Sequence, residues 1–267
     1  MQDNVIDVIN LSLPYAFQKF NISFERNKLT VLTGPNNCGK TTLIRSIIGQ
    51  IFTDNTIYIF SQELEYYRIT ELNIIMKHII PDEYLFTAPT IFQELNNSLN
   101  NLEISSSIKR KKIKEILKQF DLIKIENTNP NELTEANKIK VQLAKCLLQS
   151  PKILLLDDIF ITMNNDERNN IIRSLKDFQK KMDLTIIMTT SNLNDCLLAD
   201  YIYVIEKNTI ALEGTPIEVL QKDNVLNRIG LELPFIIDLS VKLRDYDLIN
   251  DVDINSDIDG MVNLLWK

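Results

Sequence analysis

The sequence predicts an α/β protein built around a parallel β-sheet. Short apolar runs typical of buried strands alternate along the chain with segments in helical spacing, which is the pattern of strand–helix–strand units. A glycine-containing loop follows one of these runs, at residue 34, and leads into a helix-like segment. Another run, at 152–156, is bounded by charged residues, as expected of a central strand buried on both faces.

The elements can be placed in chain order from periodicity and from turn-forming residues. Predicted strands lie at 28–33, 56–60, 73–79, 152–156, 184–189 and 201–206, and predicted helices at 40–51 and 165–182. Apolar side chains at helical spacing continue from Thr90 to Leu122, with Ile113, Ile116 and Phe120 on one face. Pro216 and the segment 222–227 mark a boundary, after which a short helical and acidic tail follows.

Composition excludes several classes of function. The net charge of −7 is unfavourable for general nucleic-acid binding, which needs basic residues to neutralise phosphates. Three scattered cysteines favour a reducing compartment over a disulfide framework, and one histidine excludes a histidine metal cluster. No apolar run is as long as a membrane span, and the first residues lack the pattern of a signal peptide. These features predict a chain without membrane spans of its own and without a nucleic-acid partner.

A phosphate-binding loop is the strongest motif in the chain. Residues 34–41 fit G-x-x-x-x-G-K-[ST] between a predicted strand and a predicted helix, which is the context that this motif requires. Backbone N–H groups of such a loop and the helix N-terminus attract anionic oxygens. Lys40 is then expected to contact the β- and γ-phosphates, and the Thr41 hydroxyl to bind Mg²⁺.

An acidic pair supplies the second half of the predicted nucleotide site. Asp157 and Asp158 end the apolar run Ile153–Leu156, and we expect that strand to lie next to the strand before the loop. Asp157 would hold Mg²⁺, through water, and Asp158 stands where a general base is needed. Without the upstream loop, such a pair is more often a turn at the end of a strand.

At this point the sequence resembles ATP-binding cassette (ABC) ATPases over nearly its whole length. Leu133–Asn137 and the following helix have the layout of the family's signature motif, and 189–200 resembles its switch segment. The resemblance implies a P-loop NTPase parallel sheet with an N-terminal antiparallel subsheet and a helical signature subdomain. It places the nucleotide-binding domain at 1–222, the helical subdomain at about 82–150, and a C-terminal dimerisation extension at 223–267.

The resemblance also implies the site residues. MgATP would be bound by Tyr15, which stacks on adenine, and by Gly34, Asn36, Asn37, Cys38, Gly39, Lys40, Thr41 and Thr42. Thr41 and Asp157 would hold the metal. The signature residues Thr134, Glu135, Ala136 and Asn137 would face a nucleotide bound by a second ABC ATPase subunit.

Two segments are similar to energy-coupling factor (ECF) transporter ATPases in particular: 81–95, after the family's Q-loop, and 230–250 in the tail. This resemblance implies an ATPase dimer at the cytoplasmic face of the cell membrane, bound to a membrane coupling protein. Through that protein it would act indirectly on a substrate-binding membrane subunit that takes up a vitamin or a metal ion. The segment 81–95 would form the groove for the coupling protein.

Several positions depart from the family pattern. Glu135 and Ala136 replace the two signature glycines, Asp158 replaces the catalytic glutamate, and Thr190 is aligned with the switch histidine. Ile79 falls at the Q-loop glutamine, and Asn164 at the D-loop aspartate. We therefore expect a chain that binds nucleotide but hydrolyses it weakly, as the degenerate member of a heterodimer.

Alternatives from other classes stay open on the sequence alone. One is a pseudo-ATPase scaffold, and the other is an ABC protein that acts as a switch outside transport. His78, in an apolar strand-like run, is more simply a structural histidine than a catalyst. The basic run at 109–112 is more simply a solvated helix face than an anion site.

Overall fold

The computed structural model describes residues 3–54, 56–81 and 85–249. Its larger sheet has six strands in the order β10-β9-β3-β8-β7-β6. Its strands are β3 Leu29–Thr33, β6 Met76–Ile79, β7 Ile153–Asp157, β8 Thr185–Thr190, β9 Tyr201–Glu206 and β10 Thr209–Gly214. All neighbours pair in parallel except β10, which pairs antiparallel with β9. The predicted parallel sheet is therefore confirmed.

Strands from the N-terminal part of the chain form a smaller antiparallel sheet, in the order β2-β1-β4-β5. They are β1 Asn4–Leu11, β2 Phe20–Glu25, β4 Ile57–Ile59 and β5 Gln62–Glu63. This confirms the subsheet that the family resemblance implies.

The central strand β7 shows why its sequence is apolar throughout. Leu155 packs in a core with the small sheet and helix α1 (Lys40–Ile47), whereas Leu154 and Leu156 pack in a second core with the helices on the opposite face. Successive side chains of a strand point to opposite faces, so a strand buried on both faces needs apolar residues at every position. The sheet thus separates two cores.

The described part of the predicted helical subdomain, 85–150, contains three α-helices: α3 Ile91–Asn97, α4 Ser106–Gln119 and α5 Glu135–Leu148. Each begins after a hydroxyl residue whose oxygen accepts a backbone N–H bond in the first turn: Thr90, Ser105 and Thr134. Such caps satisfy donors that have no partner inside the helix. The helical spacing predicted from 90 to 122 is therefore two helices, separated by residues 98–105.

Helix α6 occupies Asn165–Met182, as predicted, and begins with a reciprocal capping box between Asn164 and Glu167. Two predictions were wrong at their boundaries. The first helix ends at Ile47 rather than at 51, with the next residue as its cap. The segment predicted as a strand at 73–79 begins as the end of helix α2 (Ile69–Ile75), and only Met76–Ile79 is extended.

The C-terminal part contains α7 Pro216–Leu220, α8 Asp223–Arg228 and α9 Phe235–Asp245. The proposed boundary at 222 lies between α7 and α8 and stays a prediction. Ile237 and Val241 of α9 join the same core as the large sheet, so the described part of the extension packs on the main body. The rest of the predicted tail, 250–267, lies outside the described residues. None of the described helices is long and apolar enough to cross a membrane.

Candidate nucleotide site

The loop between β3 and α1 is closed by two glycines in conformations that other residues rarely adopt. Gly34 has φ +150° and Gly39 has φ +104°. A Cβ at Gly34 would lie 2.2 Å from the Ile205 carbonyl oxygen, and one at Gly39 would lie 2.7 Å from Cζ of Phe17. Asn37 also takes a left-handed conformation, with φ 62°, which asparagine tolerates better than most residues. The loop geometry therefore explains the glycine positions of the motif.

Lys40 lies inside this loop. Its side chain is buried, and Nζ donates to the carbonyl oxygens of Gly34 at 2.8 Å and Pro35 at 3.1 Å. Cys38 is also buried, with Sγ 3.9 Å from Nζ. Burial raises the pKa of the Cys38 thiol, against the opposing effect of the Lys40 charge, so the thiol stays neutral. The loop thus holds one buried positive charge at the start of α1, which favours a bound anion.

A cleft of about 510 Å³ opens beside the loop. Its lining residues are Tyr15, Ala16, Asn36, Asn37, Gly39, Lys40, Thr41, Thr42, Asp158 and Asn208. Seven of the nine predicted ATP-binding residues line it, whereas Gly34 and Cys38 lie on the inner side of the loop. Tyr15 is fully exposed at this cleft. An exposed ring at the edge of a polar cleft is the arrangement that base stacking requires.

Sequence reasoning missed Ala16 and Asn208. Asn208 lies in the turn between β9 and β10, where it takes φ 63°. Its Oδ1 would lie 3.0 Å from a Cβ at Gly39, so the turn closes over the start of α1. The Lys207–Asn208 turn between two strand-like runs marks a hairpin, but nothing in its sequence places that hairpin beside the loop.

The acidic pair lies at the C-terminal end of β7, and one strand, β8, separates it from β3. The expectation that the two strands are direct neighbours is therefore wrong, although both end at the same edge of the sheet. Asp157 is buried, and its Oδ1 accepts a hydrogen bond of 2.6 Å from the Thr189 hydroxyl. Asp158 turns into the cleft with φ 47°.

The environment of Asp158 favours its protonated form more than water would. Burial raises the pKa of this carboxyl, the charges of Asp157 and Asp195 raise it further, and Lys40 opposes them. A raised pKa suits a group that must accept a proton. The carboxylate is nevertheless one methylene shorter than the glutamate of the family pattern.

The structure does not bring Thr190 into the cleft, and the alignment that placed it there is corrected. Its side chain is buried at the end of β8, and its hydroxyl donates to Oδ2 of Asp195 at 2.6 Å. The next residue, Ser191, is exposed. Ser191 lines a second cleft, together with Pro35 and Asn36 of the loop. Asn192 and Asn194 of the same segment line this cleft as well, and Ser191 is the first residue after β8 to do so.

The signature residues do not line the cleft beside the phosphate loop, and their role toward a second subunit stays a prediction. Thr134 caps α5 by accepting from the Asn137 N–H. Glu135 begins this helix, and its carboxylate lies 2.7 Å from Nζ of Lys138. A carboxylate in the first turn is favoured by the helix dipole. The N-terminus of α5 therefore carries a negative charge where the family pattern has backbone N–H groups free to meet phosphate.

The residues present fit a magnesium nucleotide in part. Thr41 at the cleft and the buried Asp157 offer oxygen ligands of the kind that Mg²⁺ prefers. Ile79 offers none, because its side chain is a hydrocarbon, and it is buried in the core at the end of β6. Asn164 is engaged in capping α6. His78 is exposed on β6 and does not line the cleft.

A phosphate loop around a buried lysine, with an acidic pair at the same sheet edge, defines a P-loop nucleotide-binding protein. The family model described as ABC transporter matches residues 17–160, more than half of the chain. The protein therefore belongs to the ABC transporter family of ATP-binding subunits.

Individual relatives that align with about nine-tenths of the chain show which members of the family it is similar to. The chain is 28% identical over 251 residues to the energy-coupling factor transporter ATP-binding protein EcfA1 of Leuconostoc mesenteroides, covering 90% of this chain and 91% of the relative. It is 28% identical over 255 residues to EcfA1 of Staphylococcus aureus, covering 91% and 93%. CbiO1 of Clostridium perfringens, described as part of the ABC transporter complex CbiONQ, aligns with a TM-score of 0.75 at 25% identity, covering 89% of this chain and 98% of that chain.

Proposed function

We propose that the protein is the ATP-binding subunit of an ECF-type importer and acts as the degenerate member of an ATPase heterodimer. The observation that carries the proposal is the single cleft that joins Tyr15, the phosphate loop and Asp158. The two EcfA1 relatives compared above cover 90% and 91% of the chain, which supports the choice of importer type.

Nucleotide would be held by this chain's own residues. The loop N–H groups and Lys40 bind the phosphates, Tyr15 supports adenine, and Thr41 and Asp157 hold Mg²⁺, which neutralises phosphate charge when bound. Binding of ATP between this loop and the signature of a second subunit favours the closed dimer, because the nucleotide contacts both halves only in that state.

Hydrolysis is proposed to depend on the other subunit. Asp158 is too short to reach the attacking water as a glutamate would, and Ser191 offers a hydroxyl where an imidazole is expected. Glu135, at the start of α5, places negative charge against the nucleotide of the second subunit. One half-site of the dimer would therefore be weak.

The remaining partners follow from the importer type. The segment 81–95 would receive the membrane coupling protein, which links the ATPases to a subunit that binds a vitamin or metal ion. Leu85 of this segment is exposed. The subunit would be peripheral, at the cytoplasmic face of the membrane, and the extension 223–267 would support dimer contact.

Equilibrium binding of MgATP to the purified chain tests the first claim, with Lys40→Ala as the control. We expect saturable binding that the variant loses, and absence of binding at millimolar MgATP would refute the proposal.

In the complete transporter, Asp158→Glu combined with Ser191→His should raise ATP turnover. Unchanged turnover would contradict the proposed degeneracy. If the protein were isolated from cells with no polytopic membrane protein bound to it, a switch protein outside transport would be favoured.

A further inference from the structure

We propose that Thr189 is a positioning residue that fixes the metal-binding carboxylate of Asp157 and the backbone turn at Asp158 with one buried hydroxyl. The proposal rests on the proposed nucleotide function and assigns a role to a residue of β8 that supplies no ligand itself. Thr189 pairs with Asp157 in the parallel ladder between β7 and β8. Its side chain is 0% exposed, so water cannot substitute for the contacts that it makes.

The hydroxyl makes two different hydrogen bonds. It donates to Oδ1 of Asp157 at 2.6 Å and accepts from the backbone N–H of Asp158 at 2.8 Å. A threonine hydroxyl has one proton and two lone pairs, so both bonds can form together. One side chain thereby contacts the carboxylate of the first acid and the backbone of the second.

The bond to Asp157 orients a buried carboxylate. Because Oδ1 is engaged by Thr189, rotation of the carboxyl group about its χ2 angle costs this hydrogen bond. Hydrogen bonds to charged acceptors contribute more than neutral ones. The other oxygen is thus held in a defined direction for the metal shell.

The bond from the Asp158 N–H supports an uncommon backbone conformation. Asp158 has φ 47°, in the left-handed region, and this conformation directs its side chain into the cleft. A non-glycine residue in this region costs of order 1 kcal/mol and persists when its surroundings fix it. Thr189 supplies such a contact, because its oxygen satisfies the N–H that the turn leaves without a ladder partner.

Thr189→Val removes both bonds while keeping the shape of the side chain. Thr185→Val is the matched control, because Thr185 lies on the same strand, is buried, and also accepts a backbone N–H, from Asn27 at 2.9 Å. It stands at the opposite end of β8 from the acids. Thr189→Ser keeps the hydroxyl and serves as the rescue variant.

Two measurements on the full chain test the proposal. The first is ATP affinity with Mg²⁺ and with a chelator in its place. We expect Thr189→Val to weaken MgATP binding about tenfold, which corresponds to one hydrogen bond to a charged group, and to leave metal-free ATP binding unchanged. Thr189→Ser should restore the magnesium dependence, and Thr185→Val should retain it. Equal losses of ATP affinity with and without Mg²⁺ in Thr189→Val would overturn the assignment. So would an unchanged ratio of the MgATP affinity to the metal-free ATP affinity.

The second measurement does not need nucleotide. Amide hydrogen exchange of a peptide containing Asp158 should accelerate at least tenfold in Thr189→Val and return to normal in Thr189→Ser, with no change in Thr185→Val. Exchange at the original rate in Thr189→Val would show that the hydroxyl does not hold this turn. If the unmodified chain bound no nucleotide, the proposed function would fail, while the exchange result would still decide the role of Thr189.

Discussion

A buried ion pair between Glu94 and Lys145 ties the helical subdomain together and supplies the clearest stability prediction. Glu94, on α3, is 2% exposed, and its Oε1 lies 2.5 Å from Nζ of Lys145 on α5. Its Oε2 accepts the backbone N–H groups of Thr87 and Ala88, each at 3.0 Å. One carboxylate therefore holds α5 and the segment that precedes α3, which is part of the groove proposed for the coupling protein.

We expect Glu94→Gln to destabilise the protein by about 3 kcal/mol. Removing one partner of a buried pair costs roughly 3–5 kcal/mol, and the lower end applies here because Lys145 is 28% exposed and can recover water. For a chain of this size that loss lowers Tm by about 6–12 °C, at roughly 2–4 °C per kcal/mol. Glu126→Gln is the matched control: its pair with Lys114 has a similar distance of 2.6 Å but is more exposed. We expect about 1 kcal/mol or less from that variant.

The same pair predicts a pH dependence with a definite sign. Although burial opposes ionisation of Glu94, its hydrogen bonds from Lys145 and the backbone lower the pKa below the ordinary 4.5. The unfolded chain therefore binds protons first, and the stability from this pair is present above about pH 4.5 and is lost as pH falls through the lowered value. Urea denaturation between pH 3 and pH 7 measures this. The reasoning would be refuted if the free energy of unfolding of Glu94→Gln followed pH in parallel with that of the original protein. It would also be refuted if the variant lost less than about 1 kcal/mol of that free energy at pH 7.

Two further predictions concern the nucleotide. Tyr15→Ala should weaken ATP binding about fivefold and leave tripolyphosphate binding unchanged, because a stacked aromatic contact contributes about 1 kcal/mol. Competition titrations with Tyr15→Phe as the control measure both affinities, and equal losses for the two ligands would exclude stacking. Glu135→Gln should strengthen ATP-driven dimerisation about fivefold. Repulsion between the Glu135 carboxylate and a phosphate near 4 Å costs up to about 4 kcal/mol at an effective dielectric of 20. Solvent exposure of Glu135 and its ion pair with Lys138 reduce this cost to about 1 kcal/mol. Sedimentation at graded ATP concentrations measures dimerisation, and an unchanged midpoint would show that the Glu135 charge does not reach the bound phosphate.

The sequence predicted the parts of the site that fold locally. The phosphate loop lies within one turn between a strand and a helix, so spacing alone placed Lys40 and Thr41 beside the same cleft. The contact of Asn208 with that cleft depends on the path of a distant hairpin, which no local pattern encodes. Thr190 and Ser191 show a second limit. Adjacent residues at the end of a strand face opposite ways, so a shift of one position decides which side chain is buried.

The distribution of retained and altered residues itself argues for an asymmetric dimer. The residues expected to bind this chain's own nucleotide come mainly from the phosphate loop and Tyr15, and those at the cleft have the chemistry that binding needs, whereas Ile79 offers no metal ligand. The other altered residues would act on catalysis, as Asp158 and Ser191 would, or on the nucleotide of another subunit, as Glu135 would. A chain that had lost all use of ATP would have no reason to keep a lysine buried in its loop, since burying a charge against neutral carbonyl oxygens is costly. The proposed combination of nucleotide binding with weak catalysis would suit a subunit whose bound ATP works through the signature of a more active partner.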